Sequence, residues 1–209
     1  MVKLERFGGA SGIVGVAAIA AQFALVGSSA PDAAALLGNR TRWAWTTAFR
    51  VIGGLGIIWF TSGLSARLRR FDARSDGPAA IVLGSGVLWG SVWLVSALFS
   101  SVAITLAAAG GRDPAVRWLS VLGVQSVLVL TPTLMITFLI ATGVAILAAP
   151  TFPRRFAHAA FFFAALRSVA AVIDWSGGAD LSMRIMDATL IWVVVASVHL
   201  LGATRPAAS

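Results

Sequence analysis

Five polar side chains interrupt the long apolar runs of this sequence, and their types favour anion binding or ion pairing. They are Gln22, Arg50, Gln125, Arg167 and Asp187. Arginine presents a permanently charged fork of N–H donors that suits anions, while aspartate can neutralise an arginine and glutamine forms hydrogen bonds. An ionisable group inside an apolar run is expensive to bury, so each one indicates a binding site or a structural contact.

The sequence lacks the residue patterns that would indicate catalysis or a metal site. It contains no cysteine, and no phosphate-binding loop, zinc-spaced cluster or Ser/His/Asp order is present. His158 and His199 could ligate a haem from neighbouring helices. However, His158 follows Arg154 and Arg155 at an expected interface, nine residues before Arg167 and so on the opposite helix face. We therefore expect no catalytic residue, no metal and no cofactor.

The composition indicates an integral membrane protein. Of 209 residues, 58% are hydrophobic and 11% are charged, and the mean hydropathy is +0.90; soluble domains carry about 25% charged residues. The net charge of +8 could suggest nucleic acid, but the basic residues lie in short loops beside apolar runs, which is typical of a topology signal. We expect a lipid bilayer as the surrounding partner and no nucleic acid.

Six apolar runs are long enough to span a bilayer as helices. They predict an all-α fold, a single transmembrane domain over residues 1–209, and a short helix within 31–42 before the second span. Glycine pairs Gly8/Gly12 and Gly86/Gly90 predict close helix packing, and Pro132 predicts a kink in the fourth span. The predicted spans are residues 8–27, 43–64, 79–108, 118–147, 156–172 and 183–201.

The distribution of basic residues predicts that both termini are cytoplasmic. Successive loops alternate between the two sides of the membrane. The side that holds the N-terminus then carries nine basic residues and the opposite side five. Cytoplasmic loops usually carry more Lys and Arg than the loops on the other side. Those on the N-terminal side are Lys3, Arg6, Arg67, Arg69, Arg70, Arg74, Arg154, Arg155 and Arg205. The basic side chains are arginine throughout except for Lys3, and alanine and glycine are abundant, which suggests a GC-rich bacterial genome. We therefore expect the bacterial plasma membrane.

The five polar residues are predicted to lie in the outer third of the membrane. Trp43, Trp118 and Trp175 mark the outer boundary as expected interface anchors. At the helical rise, the five residues lie roughly 6 to 12 Å below that boundary, and Ser96 and Ser100 of the third span lie nearby. The sequence therefore predicts a polar layer in the outer third, above an inner half that is apolar except for two histidines.

Arg167 is the residue of this layer with the strongest need for an acceptor. It is at the centre of a face of small residues, which predicts that it points towards other helices. Side chains lean towards the N-terminus of their helix, so Arg167 leans deeper into the membrane. We predict an Arg167–Asp187 contact, direct or through water. The face comprises Ala160, Ala164, Arg167, Ala171 and Asp174.

Simpler interpretations remain open for each of these residues. Arg50 leans towards the outer interface and could reach water. Asp187 could pair with Arg184 three residues earlier on its own helix. Arg167 could hold the last three spans together without binding a ligand, and Gln125 could form an interhelical hydrogen bond.

Three segments carry a family resemblance: Pro31-Asp32 through Gly38-Asn39-Arg40, the Leu64–Arg70 ending before an acidic–basic loop, and the turn at Pro153. On these features the chain resembles a domain-of-unknown-function family of actinobacterial six-span integral membrane proteins. The resemblance implies architecture and localisation, over nearly the full length. It implies no activity.

We expect a non-enzymatic membrane protein of one of two kinds. It is an accessory subunit with a membrane-protein partner or a second copy of itself, or it binds a small hydrophobic or anionic ligand in its outer half. The alternative is a small-molecule or ion transporter with the polar layer on its pathway, although an apolar inner half argues against a continuous polar route. Ligand binding predicts an outward-open cavity lined by Arg50, Gln125 and Arg167.

Overall fold

The computed structural model describes residues 2–26, 33–70, 76–109, 114–148, 152–175 and 181–202. Side chains are described for residues 3–25, 34–70, 76–109, 114–148, 152–173 and 185–202. The elements are all helices: α1 (Val2–Val26), α2 (Ala33–Gly38), α3 (Arg40–Arg69), α4 (Asp76–Ala108), α5 (Pro114–Ala148), α6 (Arg154–Trp175) and α7 (Leu181–Gly202).

The prediction of an all-helical chain with six long apolar helices is confirmed. Every helix except the six-residue α2 is long and apolar enough to cross a membrane. Most of these helices extend beyond the apolar runs at one or both ends. The predicted short helix is present as α2, which ends at Gly38, and Asn39 caps the following helix by accepting a hydrogen bond from the backbone N–H of Arg42 at 3.2 Å.

The six long helices close into a ring of antiparallel neighbours. α1 packs against α3, α3 against α4, α4 against α5, α5 against α6 and α6 against α7, and α7 returns to α1. The short α2 packs on α3 and α4 at one end of the ring, here called the α2 end, where α3, α5 and α7 begin. The opposite end, where α1, α4 and α6 begin, is called the Glu5 end. Short loops force this alternation because they join each helix to an adjacent one.

Glycines let the backbones of α1, α3 and α4 approach closely. A Cβ atom added at Gly56 of α3 would lie 2.5 Å from the Cα of Gly15 in α1, and one added at Gly8 would lie 2.8 Å from the Cα of Gly63. On the other side of α3, a Cβ at Gly90 of α4 would lie 2.6 Å from the carbonyl oxygen of Gly54. Small residues at such faces allow van der Waals contact along the helices, which drives association in lipid. The predicted close-packing role of Gly8 and of the Gly86–Gly90 segment is therefore confirmed.

An aromatic cluster fills the middle of the ring. The Phe138 ring of α5 lies 6.3 Å from Phe60 of α3, 6.0 Å from Trp89 of α4 and 6.2 Å from Trp192 of α7, measured between ring centroids. All four side chains are buried. Four helices thus meet through one set of buried aromatic rings at the centre of the bundle.

A buried carboxylate joins α1 to the last turn of α3 at the Glu5 end. The Glu5 side chain has no exposed surface, and its carboxylate accepts from the guanidinium groups of Arg67 at 3.1 Å and Arg70 at 3.3 Å. A buried carboxylate is tolerated when it is paired and hydrogen-bonded. Two arginines that the sequence marked only as topology signals therefore also hold α1 against α3.

The α2 end is packed by a smaller apolar cluster. Leu36 of α2 and Trp43 of α3 are buried with residues of α4 and α5. The indole N–H of Trp43 donates to the carbonyl oxygen of Ala35 at 3.1 Å. The prediction that Trp43 is a simple interface anchor is therefore wrong, because α2 covers it. Trp118 is 66% exposed, and its role as an anchor stays a prediction.

Candidate functional site

Arg50 lies on the buried stripe of α3. Thr46, Gly53, Gly54 and Ile57 are buried with it at helical spacing, so the same face that packs the helix into the ring carries the arginine inward. Only 5% of the Arg50 side chain is exposed. A guanidinium remains charged at any ordinary pH, so this helix face brings a permanent positive charge into the bundle.

The guanidinium of Arg50 binds two hydroxyl groups of α4. Its NH1 group donates to Ser96 Oγ at 3.1 Å and to Ser100 Oγ. The Ser96 hydroxyl donates to the carbonyl oxygen of Gly123 in α5, and the Ser100 hydroxyl to the carbonyl oxygen of Ser96. Each hydroxyl hydrogen is thus used on a carbonyl, which leaves the oxygen lone pairs for the arginine. The expected proximity of Ser96 and Ser100 to the polar layer is confirmed.

These bonds decide between two orientations of Arg50. The sequence left open that its side chain reaches towards the outer interface and water. In the structure the side chain is buried and held by α4, because serines on the adjacent helix offer acceptors at its own depth. Neither acceptor is charged, and among the ion pairs of the described side chains none involves Arg50. The site therefore has an excess positive charge.

A small cavity adjoins Arg50. It measures about 20 Å³, is partly open, and is lined by residues from four helices of the ring. That volume holds about one water-sized atom. The lining residues are Gln22, Phe23, Arg50, Trp93, Val124, Val127 and Leu128.

Three buried polar atoms of these lining residues have no hydrogen-bond partner among the described residues. They are Gln22 Oε1, Arg50 Nε and Trp93 Nε1. Gln22 is 2% exposed and Trp93 is 1% exposed. Buried polar groups are normally paired. The indole nitrogens of Trp89 and Trp192 also have no partner among the described residues, so it is the adjoining cavity that marks the atoms near Arg50 as a position for a bound species. Two of the three atoms, Arg50 Nε and Trp93 Nε1, can only donate.

Pro132 changes the backbone next to this cavity. It lies within α5 and has no N–H, so the carbonyl of Leu128, four residues earlier, lacks its usual helical donor. Leu128 lines the cavity, so the proline loosens the helix hydrogen bonding at the wall of the site.

The other predicted members of the polar layer are placed differently. Arg167 is 2% exposed on the buried stripe of α6 together with Ala160 and Ala164, which confirms the inward direction of this part of its small-residue face. Ala171 is half-buried, and the side chain of Asp174 lies outside the described residues. It does not line the cavity at Arg50. Gln125 is exposed, although its neighbours Val124 and Val127 line that cavity. The predicted cavity lined jointly by Arg50, Gln125 and Arg167 is therefore replaced by one that Gln22 and Arg50 share.

The predicted Arg167–Asp187 contact is not present as a direct ion pair among the described side chains, and a contact through water stays a prediction. Asp187 is exposed, and the ion pairs among the described side chains are those of Glu5. On α7 the buried stripe runs through Met186, Thr189 and Leu190. Asp187 is one residue beyond Met186 and turns about 100° away from it at 3.6 residues per turn, so it faces out of the bundle.

Sequence reasoning missed three positions. Phe23 and Trp93 line the cavity, and Glu5 forms the ion pairs with Arg67 and Arg70. Trp93 is three residues before Ser96 on the same face of α4, a spacing that could have linked it to Arg50. Phe23 follows Gln22 and packs edge-on against Trp93, with ring centroids 6.0 Å apart. Glu5 is the only glutamate in the chain and lies at the end where basic residues concentrate, which was an available signal for an ion pair.

The two histidines are in unlike surroundings. His158 is exposed, whereas His199 is half-buried against the rings of Phe152 and Phe156, with centroids 4.7 and 5.4 Å away. Within the part of the chain that the structure describes, no group of three His, Asp or Glu side chains could hold a metal ion.

The fold and the site together define a class: a multi-pass α-helical membrane protein with a buried, cationic polar site near one end of its helix ring. Comparison of the chain with family models, curated proteins and solved structures found no match. The resemblance based on the Pro31–Arg40 segment, the Leu64–Arg70 ending and the Pro153 turn therefore stays a prediction.

Proposed function

We propose that the protein is a non-enzymatic, multi-pass protein of the bacterial plasma membrane that binds a small anion through Arg50 from the outer side. The observation that carries the proposal is the buried guanidinium of Arg50, bonded to neutral hydroxyls and adjoining a cavity. An uncompensated charge is costly to bury, and an anion in the cavity would offset that cost. Membership of the six-span family and an accessory role with a partner protein are compatible with this proposal.

Transport of a small molecule or ion is the second candidate. It would use the same polar site as the start of a pathway. The aromatic cluster around Phe138, which fills the ring between four helices, argues against a continuous polar route. Anion flux into liposomes above that of protein-free liposomes would reverse this ranking.

Arg50→Gln should abolish anion-dependent stabilisation of the purified protein. A ligand at ten times its Kd stabilises the folded state by about 1.4 kcal/mol, or roughly 3–6 °C in apparent Tm for a chain of this size. We expect such a saturable rise with at least one anion of a panel of chloride, acetate and phosphate, measured by differential scanning fluorimetry at constant ionic strength. Arg50→Gln should show none.

Arg117→Gln is the matched control, because Arg117 is exposed near the start of α5, at the same end of the ring. It should retain the full response. Equal loss of the response in both variants would indicate a non-specific effect of charge, and a response that survives in Arg50→Gln would contradict the proposal.

Labelling should reveal the α2 end outside the cell and both termini inside. The chain has no cysteine, so single cysteines report position without background. Arg117→Cys should react with a membrane-impermeant maleimide in intact cells, and Arg69→Cys, exposed at the Glu5 end, only after permeabilisation. The reverse pattern would place Arg50 in the inner leaflet and contradict binding from the outer side.

A further inference from the structure

We propose that the cavity between Gln22, Arg50 and Trp93 binds a single dehydrated halide ion of the size of chloride or bromide. This inference rests on the proposed function and names the class of anion. Its basis is the combination of the cavity's size, the donors around it and the charge of Arg50.

The volume of the cavity suits an anion of one atom. At about 20 Å³ it admits about one water-sized atom. A halide is a single atom of comparable size, whereas a carboxylate or phosphate has several heavy atoms. Phe23 and Trp93 form one wall, packed edge-on, and Trp93 is almost fully buried, so that wall has little freedom to retreat.

The unpaired polar atoms suit an acceptor. Arg50 Nε and Trp93 Nε1 have no partner among the described residues and can only donate. The amide of Gln22 also has no partner for its oxygen, and by rotating about its last bond it can present its NH₂ group instead. A halide at the cavity would then accept from three donors supplied by α1, α3 and α4.

Charge separates a halide from a water molecule. A water could accept from Arg50 and Trp93 and donate to Gln22 or to the carbonyl of Leu128, so hydrogen bonding alone allows either occupant. Arg50, however, is charged, is 5% exposed and bonds only neutral hydroxyls in the described part of the chain. Water leaves that charge uncompensated, and a monovalent anion neutralises it.

The test is a halide titration of the purified full-length protein in neutral detergent, with sodium gluconate keeping the ionic strength constant. We expect chloride and bromide to raise the apparent Tm saturably by about 3–6 °C at ten times Kd, and acetate and phosphate to leave it unchanged. In Trp93→Phe, which keeps an aromatic ring and removes the N–H, the halide Kd should rise about tenfold, as expected for one lost hydrogen bond.

Each outcome separates the two proposals. If acetate or phosphate stabilises the protein through Arg50 and halides do not, the halide assignment is overturned and anion binding stands. If no anion acts saturably, both proposals are overturned. An unchanged halide Kd in Trp93→Phe removes the assignment of this cavity. If Arg50→Gln fails to fold, Trp93→Phe still tests the proposal. The control variant Arg117→Gln should bind halide like the wild type.

Discussion

Glu5→Gln should destabilise the protein by about 1.5–3 kcal/mol, the range for losing a hydrogen bond to a charged group. The substitution keeps the size and shape of the side chain and removes its charge. Glu5 is fully buried, and its two carboxylate oxygens are bonded to Arg67 and Arg70. With glutamine there, a neutral amide would face the two guanidinium groups, of which that of Arg67 is the less exposed. We expect a lower apparent Tm and a less stable contact between α1 and α3.

The contributions of the two arginines should differ. The Arg67 side chain is 11% exposed and that of Arg70 is 42% exposed. Solvent screens the outer pair, so Arg70→Gln should change stability by about 0–1 kcal/mol, and Arg67→Gln by more. Asp76→Asn is the control, since Asp76 is an exposed carboxylate at the same end. If Glu5→Gln melts like Asp76→Asn, the ion pairs do not hold the helices together.

Gly56→Ala should lower stability by about 1–3 kcal/mol, as overpacking does in tightly packed interiors. The added methyl group would lie 2.5 Å from the Cα of Gly15 and 2.7 Å from the carbonyl oxygen of Ser11. Both are backbone atoms, so no side chain can turn aside and α1 must move away from α3. Thermal unfolding in detergent measures the loss, and Gly15→Ala, which approaches the Cα of Gly56 to 3.0 Å, should act in the same direction.

Gly84→Ala is the matched control for this substitution. Gly84 is also a helical glycine, but a Cβ there would meet nothing within 4 Å. Alanine favours helix over glycine by up to about 1 kcal/mol, so Gly84→Ala should be neutral or stabilising. Equal stability of the two variants would mean that α1 and α3 are not in backbone contact at Gly56.

The elements of the fold were predictable because the information is local. A run of about 20 apolar residues must form a helix in lipid, since its backbone groups have no other partners. Residues that favour a helix start and a helix end, also local signals, predicted the short α2 between Pro31 and Asn39. Local signals also gave the close-packing faces at Gly8 and Gly86–Gly90, because a small residue at helical spacing is visible in the sequence before its neighbour is known.

The level of the candidate site along the helices was predictable, but its membership was not. Counting residues along each helix correctly brought Arg50 to the level of Ser96 and Ser100. Depth says nothing about the side of the helix that faces the bundle. Gln125 and Asp187 are exposed, whereas Gln22, Arg50 and Arg167 are buried, because rotation about each helix axis is decided by packing against both neighbours.

The sequence by itself therefore determined six apolar helices, their approximate lengths, and the presence of arginines that a membrane interior does not tolerate without partners. The tertiary structure alone decided which partners these are: serines of α4 for Arg50, and the carboxylate of Glu5 for Arg67 and Arg70. Glu5 is more than 60 residues from both arginines, and Asp187, which is nearer in sequence to Arg167, turns away from it. Ion pairing depends on which side chains the closed ring of helices brings within about 4 Å. Helix periodicity describes one helix at a time, so it does not predict distances between side chains of different helices.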